Sequence, residues 1–118
     1  MNILLAEDDA NFGLVLKTEL EEDSYVVDLV ANGVEAILNF LTKTYGLVLL
    51  DIKMPRLNGN DTLKIIKKMD PHMAVITFSG NAGSHEIAES IKCGAAQCLT
   101  KPFEISQLRC AIKNCILQ

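Results

Sequence analysis

No run of this 118-residue chain is apolar for long enough to cross a membrane. Its first residues also lack the basic start and long apolar stretch of a secretory signal. The cytoplasm is therefore the expected compartment. Lys and Arg are not clustered: 11 basic residues stand against 15 acidic ones, a net charge of −4, so the electrostatic footprint of direct nucleic-acid binding is missing. The four cysteines, Cys93, Cys98, Cys110 and Cys115, form no C-x-x-C pair, and both histidines, His72 and His85, precede them. That pattern gives poor support to a zinc site and favours buried, reduced thiols. Low-complexity segments and internal repeats are absent too.

What the chain has is ordinary globular material, 49% hydrophobic and 22% charged, enough for a single domain with one core over residues 1–118. Five short apolar runs recur, at Asn2–Ala6, Tyr25–Val30, Leu47–Leu50, Ala74–Phe78 and Ala96–Thr100. Between them the apolar residues recur at three and four. These stripes are Phe12, Val15, Leu16 and Leu20; Val34, Ile37, Leu38 and Leu41; Leu63, Ile66 and Met69; Ile87 and Ile91; and Leu108, Ala111, Ile112, Cys115 and Ile116. Such spacing is that of amphipathic helices, and the runs are too short for anything but strands. Asn32-Gly33, Asp70-Pro71 and Gly94 punctuate the alternation. Near-continuous apolar strands indicate a sheet covered on both faces, hence parallel, and a doubly wound α/β domain.

Ligands of such folds bind beyond the carboxyl ends of the strands. Glu7-Asp8-Asp9 follows the first run, Asp51 the third, Ser79 the fourth and Lys101 the fifth. The second ends at Ala31-Asn32 with nothing ionisable, as an edge strand outside the site would. Acids, a hydroxyl and one ammonium thus converge on one rim. Any one of them alone is an ordinary loop or cap residue; four matched ends together indicate a site.

At LLDIKMPRLNG, Leu49 to Gly59, the chain resembles the receiver domains of two-component response regulators. The likeness extends over the whole chain through the acid pair after the first strand, Ser79-Gly80 after the fourth and Lys101-Pro102-Phe103 after the fifth. The resemblance implies a flavodoxin-like (βα)5 fold with strand order 2-1-3-4-5. It makes Asp51 the phosphoacceptor, attacking a phosphohistidine of a histidine kinase or histidine phosphotransfer protein. Glu7, Asp8, Asp51 and the backbone carbonyl of Lys53 would hold Mg2+, a hard cation suited to oxygen ligands. Lys101 and Ser79 would bind phosphoryl oxygens, and a cis Lys101–Pro102 bond would help aim the lysine. The family interval from acid pair to acceptor matches Asp8 to Asp51 best, which pairs Glu7 with Asp8 and leaves Asp9 as a helix cap; a competing register pairs Asp8 with Asp9.

The chain departs from the family pattern at Cys98, which occupies the switch position where receivers usually carry Tyr or Phe. Lys53 and Asn81 stand where family members tune the phosphoryl lifetime. Glu86, Glu89, Lys92, Arg109 and Lys113 put mixed charge on the usual output face, compatible with a downstream effector or a monomer–dimer exchange. A haloacid-dehalogenase-type phosphohydrolase would need a second Asp where Lys53 stands, and an FMN carrier would need a phosphate loop where three acids stand. The nearest rival function is a degenerate receiver that serves only as a docking module. The last apolar stripe runs to within a few residues of Gln118, so the chain is expected to be a stand-alone regulator or the receiver of a longer one.

Overall fold

A computed structural model describes residues 1–80 and 85–116. Strands and helices alternate strictly: β1 (Asn2–Ala6), α1 (Ala10–Glu22), β2 (Val26–Val30), α2 (Gly33–Thr42), β3 (Leu47–Asp51), α3 (Gly59–Met69), β4 (Val75–Ser79), α4 (His85–Lys92), β5 (Gln97–Thr100) and α5 (Ile105–Ile116). The five strands form one parallel sheet in the order β2-β1-β3-β4-β5. The doubly wound α/β fold and its strand order are those expected, with strand bounds within one or two residues.

Alternate side chains of each strand feed opposite layers, as the two-residue period of a strand requires. Leu4, Ala6, Val48, Leu50 and Val75 pack with Ala36, Leu63 and Ile66 of α2 and α3. Ile3, Leu5, Leu47, Leu49, Ile76 and Phe78 pack with Leu16 and Leu20 of α1 and with Leu108, Ala111 and Ile112 of α5. Every residue of β3 and β4 is buried, whereas edge strand β2 leaves Val26 more than half exposed. On that edge Asp28 accepts hydrogen bonds from Tyr45 Oη (2.7 Å) and Lys43 Nζ (3.0 Å), which blunts an otherwise open ladder. Burial, reinforced by Asp28, pushes the Tyr45 phenol up to about 12.

Several apolar residues expected in the core are on the surface: Val15, Leu38, Leu41, Met69, Ile91 and Ile116. A helix laid on a sheet buries a narrower stripe than its apolar spacing covers. Val15 sits one position, about 100°, round from buried Leu16, and Leu38 and Leu41 flank the partly buried pair Ile37 and Phe40 that faces the core. The thiols depart from expectation as well: Cys110 is exposed and Cys93, Cys98 and Cys115 are only half-buried, because β5 is an edge strand and α5 is covered on one side alone.

Local signals start and stop the helices. Asp9, Asn32 and Asn58 cap α1, α2 and α3 through their side chains, and the Asn32 Nδ2 also donates to the Glu35 carboxylate at 2.9 Å. Gly94, at φ +108°, ends α4 in a Schellman turn, its N–H and that of Ala95 donating to Ile91 and Ser90 carbonyls. Ser24 performs the same turn after α1 with φ 72°, a left-handed conformation unusual for a residue with a Cβ.

Gly59 matters most for the site. A Cβ there would meet the Asp51 carbonyl oxygen at 2.2 Å and the Ile52 Cα at 2.7 Å, so α3 can start this close to the end of β3 only without a side chain. Both obstacles are backbone and cannot swing aside. Gly59→Ala is expected to destabilise the protein by about 1–3 kcal/mol, read as a lowered denaturation midpoint, and to displace Asp51.

Candidate functional site

Strand register brings the polar residues together. Ala6, the last residue of β1, pairs with Leu50, so the following residues, Glu7 and Asp51, leave the sheet side by side. Asp51 in turn pairs with Phe78, and Ser79 with Thr100, which places Lys101 one step beyond the edge strand on the same rim. Glu7, Asp51 and Ser79 are all buried, Glu7 at 2% and Asp51 at 5% exposure, while Asp8 is exposed.

The Lys101 ammonium lies between the two buried acids, 2.7 Å from Glu7 Oε1 and 3.2 Å from Asp51 Oδ2. It also stands over the Phe12 ring, 4.8 Å from the centroid. The Lys101 backbone N–H donates to the Ser79 carbonyl at 2.6 Å, tying the two strand ends. The Lys101–Pro102 bond is cis, as expected. Burial works against the Lys101 charge, but Glu7 and Asp51 outweigh it and hold its pKa above the usual lysine value.

Burial pushes the Glu7 carboxyl up to about 7; Lys101 pulls the other way, and neighbouring Asp51 adds to the rise. Carboxylate oxygens of Glu7, Asp8 and Asp51 all lie within 4.8 Å of one another. Three hard oxygen donors this close, two of them buried, with Lys101 the only cation in contact with them among the described residues, are short of positive charge. That donor set fits a divalent oxygen-seeking cation.

Asp9 does something else. Its Oδ1 accepts from the backbone N–H groups of Asn11 and Phe12, both at 3.1 Å, so it caps α1. Its own N–H donates to Glu7 Oε2 at 3.2 Å. The three adjacent acids thus divide between a cluster and a cap.

The other expected site residues are less committed. The Lys53 side chain is exposed in the β3–α3 loop, on the wall of a cavity of about 590 Å3 between α3 and α4. Asn81 lies outside the described residues. Cys98 is half-buried on β5, beside Thr77 of β4. Arg109, expected on the output face, turns instead to α1, bonding Asp23 at 2.7 Å and Glu19 at 3.1 Å, because α1 and α5 share one face of the sheet.

Two features were not foreseen. Phe12 read as one member of an apolar stripe, yet its ring faces the Lys101 charge. Thr77, Ser90 and Asn60 form a buried hydrogen-bonded chain from β4 through α4 to α3, with Asn60 Nδ2 donating to the Glu86 carbonyl at 3.3 Å. Three polar residues so far apart in sequence carry no spacing signal.

The family model for the response regulator receiver domain matches residues 3–113. The chain belongs to that family. It is 38% identical over 111 residues to the transcriptional regulatory protein CpxR homolog of Haemophilus influenzae, covering 94% of this chain and 48% of that protein. In general it spans about half the length of the curated relatives it matches. Among solved structures it superposes on the response regulator TrrA of Thermotoga maritima, a complex with Mg2+-BeF, with TM-score 0.87, 30% identity and 97% of each chain covered. It also matches the receiver domain of the sensor histidine kinase PA1611 from Pseudomonas aeruginosa, which has a magnesium ion in its active site cleft; TM-score 0.92, 26% identity, 99% of this chain and 98% of that one. No helix among the described residues is long and apolar enough to cross a membrane.

A divalent cation held by the crowded acids would bind the folded state alone. At tenfold over its dissociation constant, Mg2+ is expected to add about 1.4 kcal/mol, roughly 5 °C in Tm for a domain of this size. Thermal melts with and without millimolar Mg2+ should show this rise in the wild type and in Asp9→Ser, where serine can still cap α1. In Asp8→Ala the rise should be lost.

Proposed function

We propose that this receiver domain is a phosphorylation-dependent signalling switch that accepts a phosphoryl group on Asp51 from a phosphohistidine of a histidine kinase or phosphotransfer protein. The observation carrying this reading is the buried Asp51 carboxylate at a strand end, 3.2 Å from the Lys101 ammonium and clustered with Glu7 and Asp8. A carboxylate approaching a phosphoryl group meets like charge, so positioning and charge neutralisation supply most of the catalysis.

In the step proposed, an Asp51 carboxylate oxygen forms the new O–P bond as the P–N bond to the donor imidazole breaks. Lys101 turns from Glu7 and Asp51 to a phosphoryl oxygen, and the Ser79 hydroxyl donates to another. Mg2+ held by Glu7, Asp8, Asp51 and the Lys53 carbonyl would supply charge neutralisation opposite Lys101. Lys53 and Asn81 stand at the sequence positions where family members tune dephosphorylation, and on this reading they would set the lifetime of the acyl phosphate. Cys98 cannot fill the volume of the usual aromatic, so the response to phosphorylation is carried by other contacts. The chain catalyses only its own phosphorylation and dephosphorylation; its output passes to an effector protein or domain through contacts made by the phosphorylated form.

Incubation with acetyl phosphate and Mg2+, followed by intact-mass measurement, is expected to show one added phosphoryl group on the wild type and none on Asp51→Asn. An unmodified wild type would leave phosphorylation-independent docking as the reading.

A further inference from the structure

Among the described residues, the Lys101 ammonium has three neighbours of two kinds. Two are carboxylates, Glu7 and Asp51, and the third is the face of Phe12 at 4.8 Å. The carboxylates are the same oxygens that a divalent cation would claim, and Asp51 loses its free carboxylate once it is phosphorylated. A lysine held only by them would be released at the moment its charge is needed. An aromatic face attracts an ammonium through its quadrupole and competes for no metal or phosphoryl oxygen.

The ring itself is well anchored. The Phe12 N–H is bonded to the Asp9 cap at 3.1 Å, which fixes the first turn of α1. The ring meets Phe103 edge-on, with centroids 5.7 Å apart and planes at 72°, and Phe103 lies 5.0 Å from Phe78, which is fully buried. A continuous aromatic stack thus runs from the core to the rim. Phe12, Lys101 and Phe103 also line an open cavity of about 340 Å3 with Asp9, Gly80 and Pro102, from which a phosphodonor can reach the ammonium. The lysine side chain, with four rotatable carbons and a quarter of its surface exposed, has conformational freedom to lose; the Phe12 platform removes part of it in advance.

We propose that Phe12 is a positioning residue for phosphotransfer, its ring face holding the Lys101 ammonium at the acceptor while the carboxylates exchange partners. The proposal rests on the phosphoacceptor reading of Asp51. It concerns the electrostatics of the ring, so size and shape must be held constant in its test.

The test replaces Phe12 site-specifically with mono-, di- and trifluorinated phenylalanines, which keep the shape of the ring and progressively weaken the negative potential of its face. The rate of Asp51 phosphorylation by acetyl phosphate is measured at saturating Mg2+, with Tm recorded for each protein. The Lys101 side-chain methylene shifts, which the ring current displaces, are followed by NMR. The expected result is a stepwise fall in rate, reaching about three- to tenfold at the trifluoro ring, with Tm nearly constant and the Lys101 shifts drifting toward those of a free lysine. Phe12→Leu should lie at the slow end of the series. Equal rates across the fluorinated series in a protein phosphorylated normally on Asp51 would overturn the proposal alone, even if Phe12→Leu were slow, since packing would then explain the loss. A protein that takes no phosphoryl group with Phe12 intact would overturn the acceptor reading and this role with it.

Discussion

Three acids and one lysine at the mouth of a parallel sheet set the terms for the rest of this molecule. Glu7 and Asp51 are buried within reach of each other, and like charges in such a place are tolerated only with a counter-charge. Lys101 supplies it from the far edge of the sheet, across two strands. Its position requires the sheet order that places β3 and β4 between β1 and β5, and its bond to the Ser79 carbonyl secures the strand end from which it reaches. The same cluster is underneutralised: one ammonium faces three carboxylates. A resting site of this kind is poised to take up positive charge.

The surroundings restrict how that site can adjust. Gly59 presses α3 against the Asp51 carbonyl, so the Asp51 backbone cannot shift without moving a helix. The next residue, Asn60, is bonded to Ser90 and to the Glu86 carbonyl, and Ser90 receives a hydrogen bond from Thr77 at 3.1 Å. Ser90 is the one buried residue of α4, which otherwise lies half-exposed over β5. This helix is thus held by polar contacts more than by apolar packing. Buried hydrogen bonds are costly to leave unmade and directional when made. The contact path from the end of β3 to α4 is continuous, running through Gly59, Asn60 and Ser90, and it does not pass through Cys98.

On the opposite face, the Asp9 cap, Phe12, Phe103 and Phe78 join the rim to the core by a different kind of contact. Here rigidity comes from aromatic packing and one capped helical turn. The Asp9 N–H donates in turn to Glu7 Oε2, so two acids two positions apart serve opposite ends of one arrangement. Arg109, bonded to Glu19 and Asp23, closes the same layer lower down by pinning α5 to α1.

The amino-acid pattern alone determined the alternation of strands and helices, the parallel sheet and the four strand ends where chemistry collects. These rest on local periodicity and on the general rule for open α/β sheets, both of which operate without tertiary detail. The resemblance to receiver domains divided the three acids into a pair and a cap with two registers open; the cap that Asp9 places on α1 is visible only in the structure. What spacing could not show was which side of each helix faces the sheet: Val15, Leu38 and Leu41 fit the apolar period and still face solvent, because burial is set by the neighbour a helix meets. Nor could it show Lys101 bonded to Glu7 across 94 positions, Phe12 facing a charge, or the Thr77–Ser90–Asn60 chain. Those are contacts between residues distant in sequence, and they exist only once the sheet order has brought their strands and helices together.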